Sequence, residues 1–345
     1  MEQKVLRVST AVVVGALLLR LLGAASWDFS LSPNMASWLL FLQSGRVVQA
    51  EKPSFSLPPT QPDPPPTVPT LPSLPQQTLP PATEPTPTVP TQPSAPTLPS
   101  FDPEDADAIT VSSGFLWNAD LPQLLSKPLV WDLTGSEPTV LILHSHTTES
   151  FTGGSYKEES PYHTLDSAHN MLSVGAYLAN LLKANGISVI HDTTIHDYPS
   201  YDLSYNNSRE SVQKILKQYP SIRLVLDLHR DAYEDANGNQ GFQTVFSQGV
   251  ELAPLMLVVG TNYGGWTHPD WQSNLSLALK LQTQLEAFCP GICRNLNLRT
   301  QRFNQDLSPG YLLVEVGSSG NTHVQAIRAT EMLANAIISL ARGSQ

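Results

Sequence analysis

Two cysteines in 345 residues, Cys289 and Cys293, leave no disulfide framework to hold this chain together. Their Cys-x-x-x-Cys spacing follows a helical pattern and precedes no second ligand pair. A zinc ribbon is therefore not expected, and the two read as packed or optionally bridged thiols beside the Pro290-Gly291 turn. Basic residues are scarce as well: 19 Lys and Arg against 30 Asp and Glu leave a net charge of -11. Phosphate binding is driven largely by Lys and Arg displacing counterions, so nucleic acid is excluded as a partner class. Long apolar runs are also missing. The N-terminal stretch from Thr10 to Ala25 is 16 residues and is interrupted by Arg20, against the roughly 20 that cross a bilayer comfortably.

Proline is plentiful but uneven: 19 of the 30 lie between Pro53 and Pro103. That segment of Pro, Thr, Ser and Gln has no hydrophobic periodicity. It reads as a disordered, extended tether for a domain that must reach away from its anchor, as through a cell wall. Ahead of it, an arginine near a helix end can extend its head group to the interface, so 1–26 reads as a retained membrane anchor. The alternative is a signal peptide cleaved near Ala24-Ala25-Ser26. Lys4 and Arg7 precede the segment and Asp28 follows it, which places everything downstream outside the cytoplasm under either reading. A short apolar patch, Trp38 to Leu42, falls in a juxtamembrane segment 27–50; the linker is 51–106 and the globular domain 107–345.

Within that domain, Val140–Leu143 reads as a strand, Ala168–Lys183 as a helix stopped at Asn185-Gly186, and Ile187–Ile190 as a strand. Ser208–Gln218 follows as a helix, Arg223–Leu228 and Leu255–Val259 as strands, Asp270–Phe288 as a helix, Tyr311–Val316 as a strand and Thr322–Leu340 as the last helix. Strands alternating with helices predict an α/β fold, a mainly parallel twisted sheet with helices on both faces. The stretch Ala232–Gly249 breaks the alternation and reads as a hairpin or a lid.

Three of the apolar runs end in chemistry. Val140–Leu143 leads into His144-Ser145-His146, Leu224–Leu228 into His229, and Leu312–Val314 into Glu315. Carboxyl ends of strands in an open parallel sheet lie along one ligand-binding edge, and a hydrolytic zinc site needs about three ligands and an open position. His146 and His229 are the expected ligands. Asp166, just before the first long helix, suits the third place, with His169 as its rival. Glu315 is placed as the general base.

Weaker candidates surround these. His144 alternates with His146 and should point elsewhere, supporting the site or filling core. Glu149 is near enough to assist the water or orient His146, although an exposed turn glutamate is the commoner explanation. His191, His196, Asp197 and Tyr198-Pro199 form a polar cluster suited to a substrate groove, Arg230-Asp231 reads as an ion pair fixing its loop, and Trp266, Trp271 and Tyr263 are able to stack on sugar rings or simply bury.

These motifs have a family likeness. His144-Ser145-His146-Thr147-Thr148-Glu149-Ser150-Phe151, His191-Asp192 with His196-Asp197-Tyr198-Pro199-Ser200-Tyr201, Asp227-Leu228-His229-Arg230-Asp231-Ala232, and Arg302-Phe303-Asn304-Gln305-Asp306-Leu307 leading to Glu315-Val316-Gly317 closely resemble the stage II sporulation protein P family, from about Thr139 to Leu340. That family is similar in fold to zinc-dependent N-acetylmuramoyl-L-alanine amidases. The resemblance implies a zinc hydrolase of peptidoglycan that cuts the amide between the muramic acid lactyl group and the stem peptide. Endopeptidase action on cross-links is implied beside it, during septal wall remodelling and forespore engulfment. It further implies a companion lytic transglycosylase and a membrane scaffold of the engulfment machinery as partners. Asp166 lies four residues before Asn170, where the amidases carry a ligand Glu, so Asp replaces Glu there. Two other classes compete: a non-catalytic wall-binding or scaffold protein that kept the fold, and a surface adhesin on a Pro-rich stalk.

Overall fold

A computed structural model describes residues 100–129, 131–234 and 239–342. The expected anchor, the juxtamembrane segment and the linker up to residue 99 lie outside these. No helix among the described residues is long and apolar enough to cross a membrane.

The described chain opens with a short 3-10 turn, Pro103–Ala108, and then β1 (Val111–Ser113), α1 (Leu121–Ser126) and β2 (Val140–Leu143). Next come α2 (Met171–Ala184), β3 (Val189–His191), α3 (Ser204–Gln218) and β4 (Leu224–Asp231). The small strands β5 (Val245–Ser247) and β6 (Val250–Leu252) precede β7 (Leu255–Gly260), α4 (Trp271–Phe288), β8 (Leu296–Arg299), β9 (Tyr311–Ser318) and α5 (His323–Arg342). Seven strands form one sheet in the order β1-β8-β7-β9-β4-β2-β3. Every neighbouring pair is parallel except β7 with β9. The sheet is thus mainly parallel, as expected, but mixed: β1, β8 and β7 run opposite to the other four strands.

Local chemistry accounts for the element ends. Asn170 caps α2, its side chain accepting from Leu172 N, and α2 ends where Gly186 takes φ 82°, a left-handed position that costs glycine little. Met171, Val174, Leu178 and Leu182 recur at helical spacing and are fully buried, each contributing about 2 kcal/mol of apolar burial. The expected hairpin is shorter than the 232–249 window and runs past its end, with β6 beyond residue 249. It pairs β5 with β6 across Gln248-Gly249, where both residues have positive φ (50° and 80°), the conformation of a two-residue hairpin turn.

The two sheet faces are covered unequally. On one, α2, α4 and α5 bury a continuous core that includes Val140, Ile142, Leu226, Leu228, Leu257, Leu312 and Val314. On the other, Val212 of α3 packs over Leu141, Leu143 and Val225, and only a small cluster of Met256, Val258 and Leu313 with Phe303 follows. Packing also begins earlier than residue 107: Phe101 packs against the core and Ala106 is buried within it. The short strands β1 and β8 and the helix α1 were not foreseen.

Candidate active-site cleft

The chain brings His146, His229 and Glu315 together. Strand β4 pairs with β9 so that His229 stands directly opposite Glu315, and the imidazoles of His146 and His229 meet edge to face with centroids 5.3 Å apart. All three line a cleft of about 450 Å³ along with Glu149, Tyr201 and Tyr205. A register shift between His229 and Asp231 breaks the β4–β9 ladder at this point, as bulges beside active sites do.

Glu149 takes the place beside the site that the sequence allowed it, and not the exposed turn that is the commoner explanation. Instead of lying exposed in a turn it is 4% accessible. Its Oε2 sits 3.5 Å from His229 Nδ1 and accepts from the Arg230 backbone N at 3.1 Å, while Arg230 Nη1 approaches Oε1 at 3.4 Å. Burial alone would raise the Glu149 pKa, but the Arg230 guanidinium and His229 outweigh it and hold the carboxylate well below its ordinary range. This corrects the expected Arg230-Asp231 pair as well. Arg230 serves Glu149 and donates to the carbonyls of Ser150 and Tyr162, whereas Asp231 is bound by Arg294 at 2.6 Å.

Asp166 and His169 are not brought to the cleft. They pair with each other at 2.9 Å, both substantially exposed, and neither is among the lining residues. The short loop from His146 to Glu149 brings a carboxylate beside His229. Asp166, some twenty residues along, is spent on its own turn, where its Oδ1 accepts from Ala168 N.

His144 points away from His146, as strand alternation requires. Its Nδ1 is 3.1 Å from the Leu228 carbonyl and its Nε2 2.9 Å from His191 Nε2, and burial lowers its pKa to about 3. His196 is buried too, Nδ1 at 2.9 Å from the His144 carbonyl, and supports the His144–Thr147 turn rather than a substrate groove. Trp271 is buried, while Trp266 and Tyr263 are exposed; none of the three lines the cleft.

Asp227 was missed. It stands two residues before His229 on the same face, fully buried, with Oδ1 3.0 Å from His229 Nε2. Its carboxylate accepts from Ser145 N at 2.7 Å, Ser145 Oγ at 2.6 Å and Tyr311 Oη at 3.2 Å. The signal was present: a lone acid inside the apolar run Leu224–Leu228 needs paired donors to be buried at all. Burial disfavours charge on His229, yet Asp227 and Glu149 on its two sides overcome that and raise its pKa well above the ordinary value. Burial lowers the pKa of His146 to about 4. Glu315 is pushed up to about 8 by burial first, with His229 opposing and Glu149 and Asp231 adding to the rise.

The family is now decided by comparison. A model for stage II sporulation protein P matches residues 84–338. The chain belongs to that family. Stage II sporulation protein P of Bacillus subtilis (strain 168) is 26% identical over 213 residues, which are 59% of this chain and 51% of the relative; the chain therefore spans about half the length of the curated relative it matches. Among solved structures, N-acetylmuramoyl-L-alanine amidase AmiC2 of Nostoc punctiforme has 11% identity and a TM-score of 0.37, covering 60% of this chain and 97% of that one. The amidase Ami1 of Mycobacterium smegmatis has 12% identity and a TM-score of 0.40, over 61% and 98% of the two chains.

A metal ion is the group this family member's donors would be asked to hold. The donor types fit. His146 Nδ1 is buried without a hydrogen-bond partner, His229 Nδ1 faces a buried carboxylate, and Glu315 Oε2 is buried and unpartnered opposite them. Two carboxylates flanking one imidazole call for a cation, met either by a proton on His229 or by a metal. Among the described residues, no group of three or more His, Cys, Asp or Glu placed to hold a metal ion is found.

Proposed function

We propose that this chain is a peptidoglycan hydrolase, an N-acetylmuramoyl-L-alanine amidase with cross-link endopeptidase action as a second capacity, working on the septal wall during sporulation. Family membership supports the setting. The reading of the chemistry is carried by one observation: a half-buried Glu315 whose Oε2 is buried without a hydrogen-bond partner, in one cleft with His146, Glu149 and His229. In the same proposal the domain is held outside the cytoplasm by an N-terminal membrane anchor, and acts beside a lytic transglycosylase and a membrane scaffold.

Zinc is the proposed cofactor, with His146, Glu149 and His229 as the residues that would hold it; when bound, it supplies Lewis-acid polarisation of the scissile carbonyl and acidifies a water. Asp227 lies 3.0 Å from His229 Nε2 as a buried counter-charge, and Nδ1 lies 3.5 Å from Glu149 on the other side of the ring. Arg230 holds the Glu149 carboxylate ionised. Glu315 takes a proton from the attacking water and returns it to the departing amide nitrogen. A cation among its three neighbours favours the ionised form of a carboxyl that burial otherwise keeps protonated near neutral pH.

A non-catalytic wall-binding protein is the second reading, since no group of three His, Cys, Asp or Glu placed to hold a metal ion is found among the described residues. Purified full-length chain incubated with sacculi separates the two. Release of stem peptides from glycan, detected by mass spectrometry and abolished by Glu315→Gln, is expected; binding to sacculi with no bond cut in the presence of zinc would leave only the second reading.

A further inference from the structure

The cleft continues away from His146 and His229 over Met256, Val258 and Leu313, which are buried with Phe303 packed against them and which line it together with Phe303. Register places Leu313 and Glu315 of β9, Met256 and Val258 of β7, and Asn297 and Arg299 of β8 on one side of the sheet, all of them lining the cleft. The cluster under helix α3 takes in residues of β3, β2, β4 and the first residue of β9, Tyr311, and none of β7 or β8. The result is a trough with an apolar floor of Met256, Val258 and Leu313. One end is acidic, at Glu149 and Glu315, and the far end is basic.

Three arginines line the cleft, and two are committed: Arg230 to Glu149 and Arg294 to Asp231. Arg299 is exposed and has no acidic partner among the described residues. Asn297 beside it is engaged by no oxygen there, its amide lying 4.0 Å from Met256 Sδ. Because β7 runs antiparallel to β9, the C-terminal end of β8 lies at the opposite end of the trough from Glu315: Arg299 pairs with Gly260, four residues beyond the Met256 that pairs with Glu315. Two strand spacings of about 4.8 Å across and four residues of about 3.3 Å along put the two Cα atoms about 16 Å apart. An extended peptide of about five residues covers that span.

We propose that Arg299, with Asn297, forms a carboxylate-binding subsite that receives the far end of the substrate's peptide, the apolar floor carrying the residues between. This deepens the reading of the cleft as a peptidoglycan hydrolase site and rests on it. A guanidinium fork matches a carboxylate with two parallel donors, and a peptide held at its free end enters the cleft in one direction, with the bond to be cut beside Glu315. Arg299 is then a residue of substrate choice: it favours stems ending in a free carboxylate over those whose end is amidated or cross-linked.

The test uses the full-length chain, wild type, Arg299→Ala and Arg299→Lys, with a muramyl pentapeptide ending in a free carboxylate and the same compound ending in a carboxamide. Wild type is expected to show a KM for the acid about tenfold or more below that for the amide. Arg299→Ala removes that preference by raising KM for the acid, Arg299→Lys restores part of it, and the amide is handled alike by all three. A wild type without preference, or a preference that survives in Arg299→Ala, overturns the subsite. If wild type hydrolyses neither compound, the hydrolase reading fails separately. Equilibrium binding of the same two compounds then decides the subsite: acid bound more tightly by wild type but not by Arg299→Ala supports it, and equal binding overturns it.

Discussion

Glu149 and Asp166 are both acids near a histidine, and only their burial separates them. Glu149 has a charged partner in the Arg230 guanidinium and a backbone donor in Arg230 N, whereas Asp166 is held by its own turn in water. Replacing Glu149 with Ala is therefore expected to remove bound zinc and hydrolytic activity together, while Asp166→Ala keeps both and changes stability by less than about 0.5 kcal/mol. Metal content by elemental analysis and urea unfolding check the pair. Glu315→Gln is expected to lower turnover of sacculi by about 10²- to 10⁴-fold, the range for a lost general base, with zinc content kept. Loss of zinc in that variant would make Glu315 a ligand instead.

At the scale of elements, the packing of α2 on the sheet leaves no room at Gly175. A Cβ there would fall on the Nε2 atoms of both His144 and His191, the imidazole pair that joins β2 to β3 beneath the helix. Gly175→Ala is expected to destabilise the domain by about 1–3 kcal/mol, read as a lower urea midpoint with an unchanged slope. Helix α4 carries a buried cation. Lys280 is 1% accessible and donates to the Leu124 carbonyl at 2.8 Å and Ser276 Oγ at 2.7 Å, with no acid beside it. Burial lowers its pKa to about 8 from 10.5. Between those values the unfolded chain binds more protons than the folded one, so stability rises with pH across about 8 to 10.5, and the penalty is fully present below 8. Lys280→Met is expected to flatten that rise in thermal melts taken from pH 7 to pH 9.5.

For the molecule as a whole, the mixed sheet explains why the cleft lies on a face and not only on a rim. Were all seven strands parallel, β7 and β8 would end beside His229. The reversal at β7–β9 sends their ends the other way and lays a diagonal floor under the cleft. Chelation by EDTA is expected to abolish hydrolysis by the full-length chain and stoichiometric zinc to restore it, with activity on sacculi as the readout. Activity that persists through chelation would remove zinc from the proposal.

The sequence determined the strands and helices that build the core, because each long apolar run needs burial on both sides or at helical spacing, and period alone reports this. It also delivered His146, His229 and Glu315, since each follows a buried apolar run closely, although β4 and β9 continue past His229 and Glu315. The short Leu296–Arg299 strand is half polar and escaped that signal, although its alternation was readable. Tertiary structure alone decided the third acid. Which of Glu149 and Asp166 faces the histidines depends on how the 146–170 loop folds back over β4, and on an arginine 81 positions away in the chain that neutralises one carboxylate and not the other. Side chains that meet only across strands β2, β4, β9, β7 and β8 share no sequence period, because their neighbourhood is set by strand order and direction.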